Sequence, residues 1–241
     1  MKFLYLSLLL FLPPTVKIEL PKPKENDVII SHFAYTLSYN EEHEQANWVA
    51  YELTQDELIS SYKRTNKFLV DDLVKTGSAK NEDYRKSGFD RGHLAPAGDM
   101  GYSEISMKES FYYSNMSPQN VGFNRGIWKM AEEKVRDWAF ENKAIYVVTG
   151  PILTKGLPTI GPNKVSIPAY FFKAVVDYSD PTHKAIAFLI PNKPSKVPLQ
   201  KFTLSIDDLE IITGYDFFYQ LPDSCENRIE KSFSLKDWGL N

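Results

Sequence analysis

The sequence predicts an α+β fold: a mixed, mainly antiparallel central sheet with packed helices. Three observations carry this. Short β-branched and aromatic runs form two groups, one on each side of a single long amphipathic helix, and do not alternate with helices as βαβ units would. The 241 residues are 43% hydrophobic, 14% aromatic and 24% charged, which excludes disordered, collagen-like and coiled-coil chains. That length can bury one large core, so residues 28–241 read as a single domain. The net charge of -3, from 28 basic and 31 acidic residues, lacks the global basic excess usual in proteins that grip polyanions.

The chain opens with Lys2 and an apolar run from Phe3 to Leu12, interrupted at Ser7 and stopped by Pro13 and Pro14. The run has the length of a secretory h-region and is short for a bilayer span. Residues 1–20 are therefore expected to be a signal peptide or an N-terminal anchor, with no other membrane insertion and an exported product: secreted, periplasmic or held at the cell envelope. A Pro/Lys-rich linker follows over residues 21–27. The single cysteine, Cys225, rules out an intramolecular disulfide, so an exported form must rely on its core.

Strands are expected at Val28 to Ile30, His32 to Tyr39 and Asn47 to Leu53. Thr54 to Asp90 reads as polar loop. Within Tyr62 to Arg91, eight basic residues (Lys63, Arg64, Lys67, Lys75, Lys80, Arg85, Lys86, Arg91) outnumber five acidic ones (Asp71, Asp72, Glu82, Asp83, Asp90), a basic island in an acidic chain. Ile127, Ala131, Val135 and Trp138 form one apolar stripe and predict a helix from near Asn124 to Asn142. Ala144 to Val148, Tyr170 to Val176 and Ala185 to Ile190 read as central strands. Ser205 to Thr213 reads as a short helix, with Ser205 as its N-cap and Asp208 at the third helical position.

The sequence contains no P-loop, G-x-S-x-G elbow, H-E-x-x-H or paired C-x-x-C, so thiol-nucleophile and zinc-thiolate chemistry fall away. Of four histidines, His43 lies in an acidic stretch and reads as solvated, while His32 and His183 lack a supporting cluster. His93 sits in Ser87-Gly88-Phe89-Asp90-Arg91-Gly92-His93-Leu94-Ala95-Pro96, where glycines and a proline shape the backbone around ionisable side chains. It could serve as a general base, with Arg91 gripping a phosphate, or the segment could be an Asp-Arg-His turn network. A second candidate group is Ser114 to Gln119, then Asn124 and Glu132. Asn124 shares the side of the apolar stripe and faces inward, either as an oxygen donor to a hard cation or as a plain helix cap. Glu132 lies about 12 Å further along an ideal helix, too far to ligate the same ion directly.

Asp90-Arg91-Gly92-His93, followed by Asn115 and Asn124, resembles the DNA/RNA non-specific endonuclease family, the ββα-metal group that includes mitochondrial endonuclease G and secreted bacterial nucleases. Trp48 to Tyr51, Ser114 to Gln119, Thr149 to Pro151, Ile167 to Lys173, Thr213-Gly214 and Phe217-Phe218 are similar to family blocks in family order. The resemblance implies a ββα-metal active-site motif with His93 as the base that deprotonates water and Asn124 as the magnesium ligand, manganese being the alternative ion. It implies phosphate contacts by Arg91 and Arg64, a supporting role for Asn115, and Glu132 holding a metal-bound water. The implied partners are DNA and RNA, contacted through phosphate, and an inhibitor protein. The implied reaction is endonucleolytic hydrolysis with little sequence preference that leaves 5′-phosphate ends. The competing expectations are a DNA-only nuclease, a nucleotide phosphodiesterase and a catalytically silent nucleic-acid-binding relative.

Overall fold

A computed structural model describes residues 16–179, 181 and 183–240. The apolar run of the expected leader lies outside the described residues. Strands β1 (Val28–Ser31), β2 (Thr36–Asn40) and β3 (Gln45–Thr54) run in sequence. Strand β4 (Phe89–His93) pairs with β5 (Met116–Asn120) as a separate two-stranded ribbon. Then come β6 (Ala144–Pro151), the small pair β7 (Thr159–Ile160) and β8 (Val165–Ser166), β9 (Tyr170–Asp177), β10 (Lys184–Pro191) and β11 (Thr203–Leu204). The helices are α1 (Asn81–Tyr84), α2 (Glu104–Glu109), α3 (Val121–Phe123), α4 (Lys129–Asn142), α5 (Ile206–Thr213) and α6 (Asp223–Glu230).

The central sheet has seven strands in the order β1-β2-β3-β6-β9-β10-β11, and every pairing in it is antiparallel. The predicted α+β class holds, with a sheet more uniform than the mixed one expected. His32 to Tyr35 form the β1–β2 turn instead of opening a strand, since the His32 N–H donates to the Tyr35 carbonyl at 2.8 Å.

Strand alternation sorts the apolar residues onto two faces. Val49, Tyr51, Leu53, Val147, Val175, Ile186 and Phe188 meet α4 through Ala131, Val135, Trp138 and Ala139. Trp48, Ala50, Val148, Phe172, Ala174 and Ala187 meet α5 and α6 through Ile206, Leu209, Cys225 and Ile229. The result is three layers, with the sheet in the middle. Helix α5 starts as expected: the Ser205 side chain accepts from the Asp208 N–H at 3.1 Å. Gly214 ends it in the left-handed region at φ 67°, which an L side chain rarely adopts.

Ile18 and Leu20 pack against the second core, and the Lys22 N–H donates to the Asp216 carbonyl at 2.8 Å. The folded body therefore takes in chain that composition assigned to the leader's end and the linker, because two apolar side chains there find a core to cover. Two histidine readings change as well. His43 is buried and bonds Ser166 Oγ through Nδ1 at 2.8 Å, and His32 Nε2 lies 2.9 Å from the buried Asp71 carboxylate.

The site is positioned by the connection between β3 and β6, which are neighbours in the sheet. The chain leaves at Thr54, builds the β4–β5 ribbon beyond the sheet, and returns through α4 to begin β6 at Ala144.

Candidate active site

Phe89 to His93, for which an Asp-Arg-His turn network is one of two readings, is a strand. Ser114 to Gln119, from the second candidate group, is largely a strand too. The two pair with Arg91 opposite Pro118, Gly92 opposite Ser117 and His93 opposite Met116. The ribbon runs straight into α3 and α4, which makes a strand–strand–helix unit. Gly92 is there for space: a Cβ at that position would lie 2.1 Å from Cδ of the buried Gln119 side chain.

One cavity of about 400 Å³ gathers Arg64, Arg91, His93, Asn124 and Glu132. Five of the six residues singled out in the sequence therefore share one wall-to-wall site. The sixth, Asn115, is fully buried and does not line it. Its Oδ1 accepts from the Ala95 N–H at 2.8 Å, and its Nδ2 donates to the carbonyls of Ala95 at 2.9 Å and Ser110 at 2.8 Å. It thus clamps the chain just after His93.

His93 is packed on aromatic rings. Its ring meets Phe111 edge-on at 4.9 Å and Phe68 at 5.9 Å, and its Nε2 is buried with no hydrogen-bond partner among the described residues. Burial, then the charges of Arg64 and Arg91, push it down to about 3, so the ring is neutral at physiological pH. The same two phenylalanines carry the arginines: Arg91 lies 4.1 Å over Phe68, and Arg64 5.1 Å over Phe111. Phe68 and Phe111 were missed in the sequence, where nothing separates them from ordinary core residues.

Asn124 does not cap a helix N-terminus; Asn120 does so for α3, its side chain accepting from the Gly122 N–H at 2.9 Å. Asn124 instead begins a π-helical turn, Asn124–Trp128, whose Gly126 departs from helical angles (φ -111°, ψ -109°). Such one-turn bulges often mark functional sites, because they re-aim a side chain. Here Asn124 Nδ2 donates to Asp90 Oδ2 at 2.9 Å. Asp90 is held in turn by Arg125, through Nε at 2.9 Å and Nη2 at 2.8 Å. Those bonds keep the Asp90 carboxyl below its usual range despite its burial. With its nitrogen occupied, Asn124 has Oδ1 left without a protein donor among the described residues. A neutral oxygen donor fixed beside a cavity that a carboxylate also lines fits a hard divalent cation. Asp90 and Arg125 were not singled out in the sequence; Asp90 heads the motif and was the available signal.

Glu132 lies over a buried charge network. Asp99, fully buried, accepts from Tyr51 Oη at 2.8 Å and from Arg136 Nη1 at 2.8 Å. Lys173 is also fully buried, with Nζ 4.7 Å over the Trp128 ring and no hydrogen-bond partner among the described residues. Burial pushes the Glu132 carboxyl up to about 7 and the Lys173 ammonium down to about 8, while each favours the other's charged form. Lys173 is thus a counter-charge for Glu132 beneath the cavity. Arg125, Lys129 and Arg136 also line the cavity, so an acidic protein has a cationic mouth.

An antiparallel α+β body that carries a strand–strand–helix unit, with a neutral histidine, arginines and an oriented asparagine in one basic cavity, defines a class of protein built to act on phosphate esters. The chain belongs to the DNA/RNA non-specific endonuclease family, whose model matches residues 14–224. It is 37% identical to the mitochondrial nuclease EXOG of Danio rerio, over 83% of this chain and 66% of that one. It is 35% identical to nuclease C1 of Cunninghamella echinulata var. echinulata, over 79% of this chain and 82% of that one. The chain spans 57% to 66% of the length of the EXOG proteins it matches. Among solved structures, that of the EndoG/EndoGI complex, which describes EndoG inhibition, matches with a TM-score of 0.78 and 31% identity. The match covers 86% of this chain and 90% of that one.

Proposed function

We propose that the chain is a metal-dependent endonuclease that hydrolyses phosphodiester bonds of DNA and RNA with little sequence preference and leaves 5′-phosphate ends. The observation that carries this reading is the convergence of His93, Arg91, Arg64, Asn124 and Glu132 on one cavity. Neutral His93 accepts a proton from the water that attacks phosphorus, the bond from phosphorus to the 3′-oxygen breaks, and that oxygen takes a proton from a second water. Arg91 and Arg64, braced on Phe68 and Phe111, hold the non-bridging oxygens as charge builds on them. Asn124 Oδ1 would hold the ion, magnesium in the first place, and Glu132 would accept hydrogen bonds from water beside it. That ion, when bound, supplies charge neutralisation at the phosphate oxygens. The cavity's charged groups contact phosphate rather than base edges, which is consistent with indifference to sequence.

Plasmid digestion with and without EDTA tests this reading, with single-stranded DNA and RNA assayed alongside to separate a DNA-only enzyme. Undiminished cleavage in EDTA would sink it. A related outcome is expected for Asp90→Ala, which frees the Asn124 amide to rotate: the magnesium concentration for half-maximal activity should rise roughly 10–100-fold. An unchanged magnesium dependence would remove Asp90 from this role.

Lys173→Met separates function from folding. An apolar chain of similar length removes an ammonium that makes no hydrogen bond among the described residues, and Glu132 takes up a proton in place of its lost counter-charge, so stability should change by less than about 2 kcal/mol. Glu132 then loses its counter-charge, and kcat/KM should fall roughly 10–100-fold. A variant that is destabilised and fully active would invert both expectations.

Export rests on the Phe3 to Leu12 run and is part of the same proposal, with fractionation as its check. The likeness to EndoG in complex with EndoGI supports an inhibitor protein as a further proposed partner.

A further inference from the structure

On the face of the sheet opposite α4, helices α5 and α6 bring three carboxylates together. One oxygen from each of Asp207, Glu210 and Glu230 lies within 4.8 Å of the others. Asp207 and Glu210 are three residues apart on α5 and so share a helical face, while Glu230 closes α6. Surface acids cluster often without consequence. Glu230 sets this group apart, because it is only 5% exposed and turns its carboxylate into the cluster. Its Oε1 is buried with no hydrogen-bond partner among the described residues. A carboxylate so placed normally has a basic partner or a full set of hydrogen bonds.

The surroundings sharpen the point. Glu210 is held by the Phe217 N–H, which donates to its Oε1 at 2.7 Å. Burial raises Glu230 to about 9, and the charges of Glu210, Glu226, Asp207 and Asp216 add to the effect. Burial raises Glu210 to about 7, with Asp216, Asp207 and Glu226 again adding to it. Four further acidic side chains thus surround a buried oxygen, and only Asp216 among them has an ion pair, with Lys22 at 3.1 Å, among the described residues.

We propose that Asp207, Glu210 and Glu230 form a calcium site, distinct from the catalytic cavity, that ties α5 to α6. Calcium accepts several carboxylate oxygens at 2.3–2.6 Å in irregular geometry and completes its shell with water, for which the exposed side of Asp207 leaves room. Magnesium demands near-octahedral ligands and gives up its water reluctantly, which suits this group less. Calcium would supply the positive charge that the buried Glu230 oxygen lacks among the described residues, and would join two elements that pack on the same side of the sheet.

The test uses the full chain with Asn124→Ala, so that an ion in the cavity cannot supply the signal. Calcium chloride is titrated into EDTA-treated, dialysed protein while thermal unfolding is followed. The midpoint should rise by roughly 5–10 °C at about a hundred times the half-saturating calcium concentration. Adding Glu230→Gln, which keeps the side chain's shape, should abolish the rise. Adding Asp207→Asn, at an exposed position, should raise the half-saturating calcium about tenfold or more. No rise in the parent protein, or an equal rise and equal half-saturation in the added variants, overturns the site. If Glu230→Gln fails to fold, Asp207→Asn decides alone. Neither outcome bears on the proposed nuclease chemistry, which involves other residues.

Discussion

His93→Ala is expected to lower kcat for plasmid cleavage by about 10²- to 10⁴-fold, the range a positioned general base supplies. The fold should survive. The ring makes no hydrogen bond through Nε2, and its contacts are to Phe68 and Phe111, which also pack against each other at 5.1 Å. The stability loss should therefore stay below about 2 kcal/mol. Far-UV circular dichroism and a urea midpoint beside the digestion assay distinguish the effects. A variant that unfolds would show His93 to be a core residue, and one that cleaves at the wild-type rate would show that another group takes the proton. Because the ring is held near 3 by burial and by Arg64 and Arg91, it is unprotonated across the neutral range. Loss of activity between pH 8 and 6 would then have to come from another group, and Glu132, at about 7, is placed to contribute.

Trp138→Ala should be the most damaging core substitution, at about 3–5 kcal/mol. Trp138 is 1% exposed, stacks on Phe188 of β10 at 6.1 Å and meets Trp238 edge-on at 4.5 Å. Its Nε1 donates to the Trp238 carbonyl at 2.9 Å, so one side chain joins α4, the sheet and the chain's last residues. Its loss opens a large cavity and strips that buried carbonyl of its donor. Since α4 also carries Glu132, activity should fall through loss of folded protein before any change in the chemistry. Equilibrium denaturation gives the stability. A loss below about 1 kcal/mol would mean that Trp238 and Phe188 collapse into the space.

What could be read in the sequence follows the range of the interactions. The stripe Ile127, Ala131, Val135 and Trp138 announced the buried face of α4, because helical periodicity is written in consecutive residues. The apolar runs that became β6, β9 and β10 were legible for the same reason, though each is longer than its run, since hydrogen bonds to neighbouring strands carry polar ends into the sheet. The short β7, β8 and β11, and helices α2 and α6, passed unnoticed, because nothing in such brief stretches raises a local signal.

The site divides in the same way. His93 and Arg91 stand two apart on one strand, and Asn124 and Glu132 lie on one helical run, so local pattern and family likeness together found them. By itself the sequence determined the α+β class, the amphipathic helix, the Ser205 cap and the motif residues, all fixed by near neighbours along the chain. Only the tertiary structure decided what those residues are worth. It turned the glycine-rich segment into a strand, because pairing with Met116 to Asn120 outweighs local turn preference. It set Asp90 on the Asn124 amide and brought the Lys173 charge to bear on Glu132, pairs that stand 34 and 41 residues apart, respectively, in the chain. It also gave an acidic chain a basic cavity. Net charge is a sum over the whole surface, whereas a phosphate feels the few charges within about a Debye length.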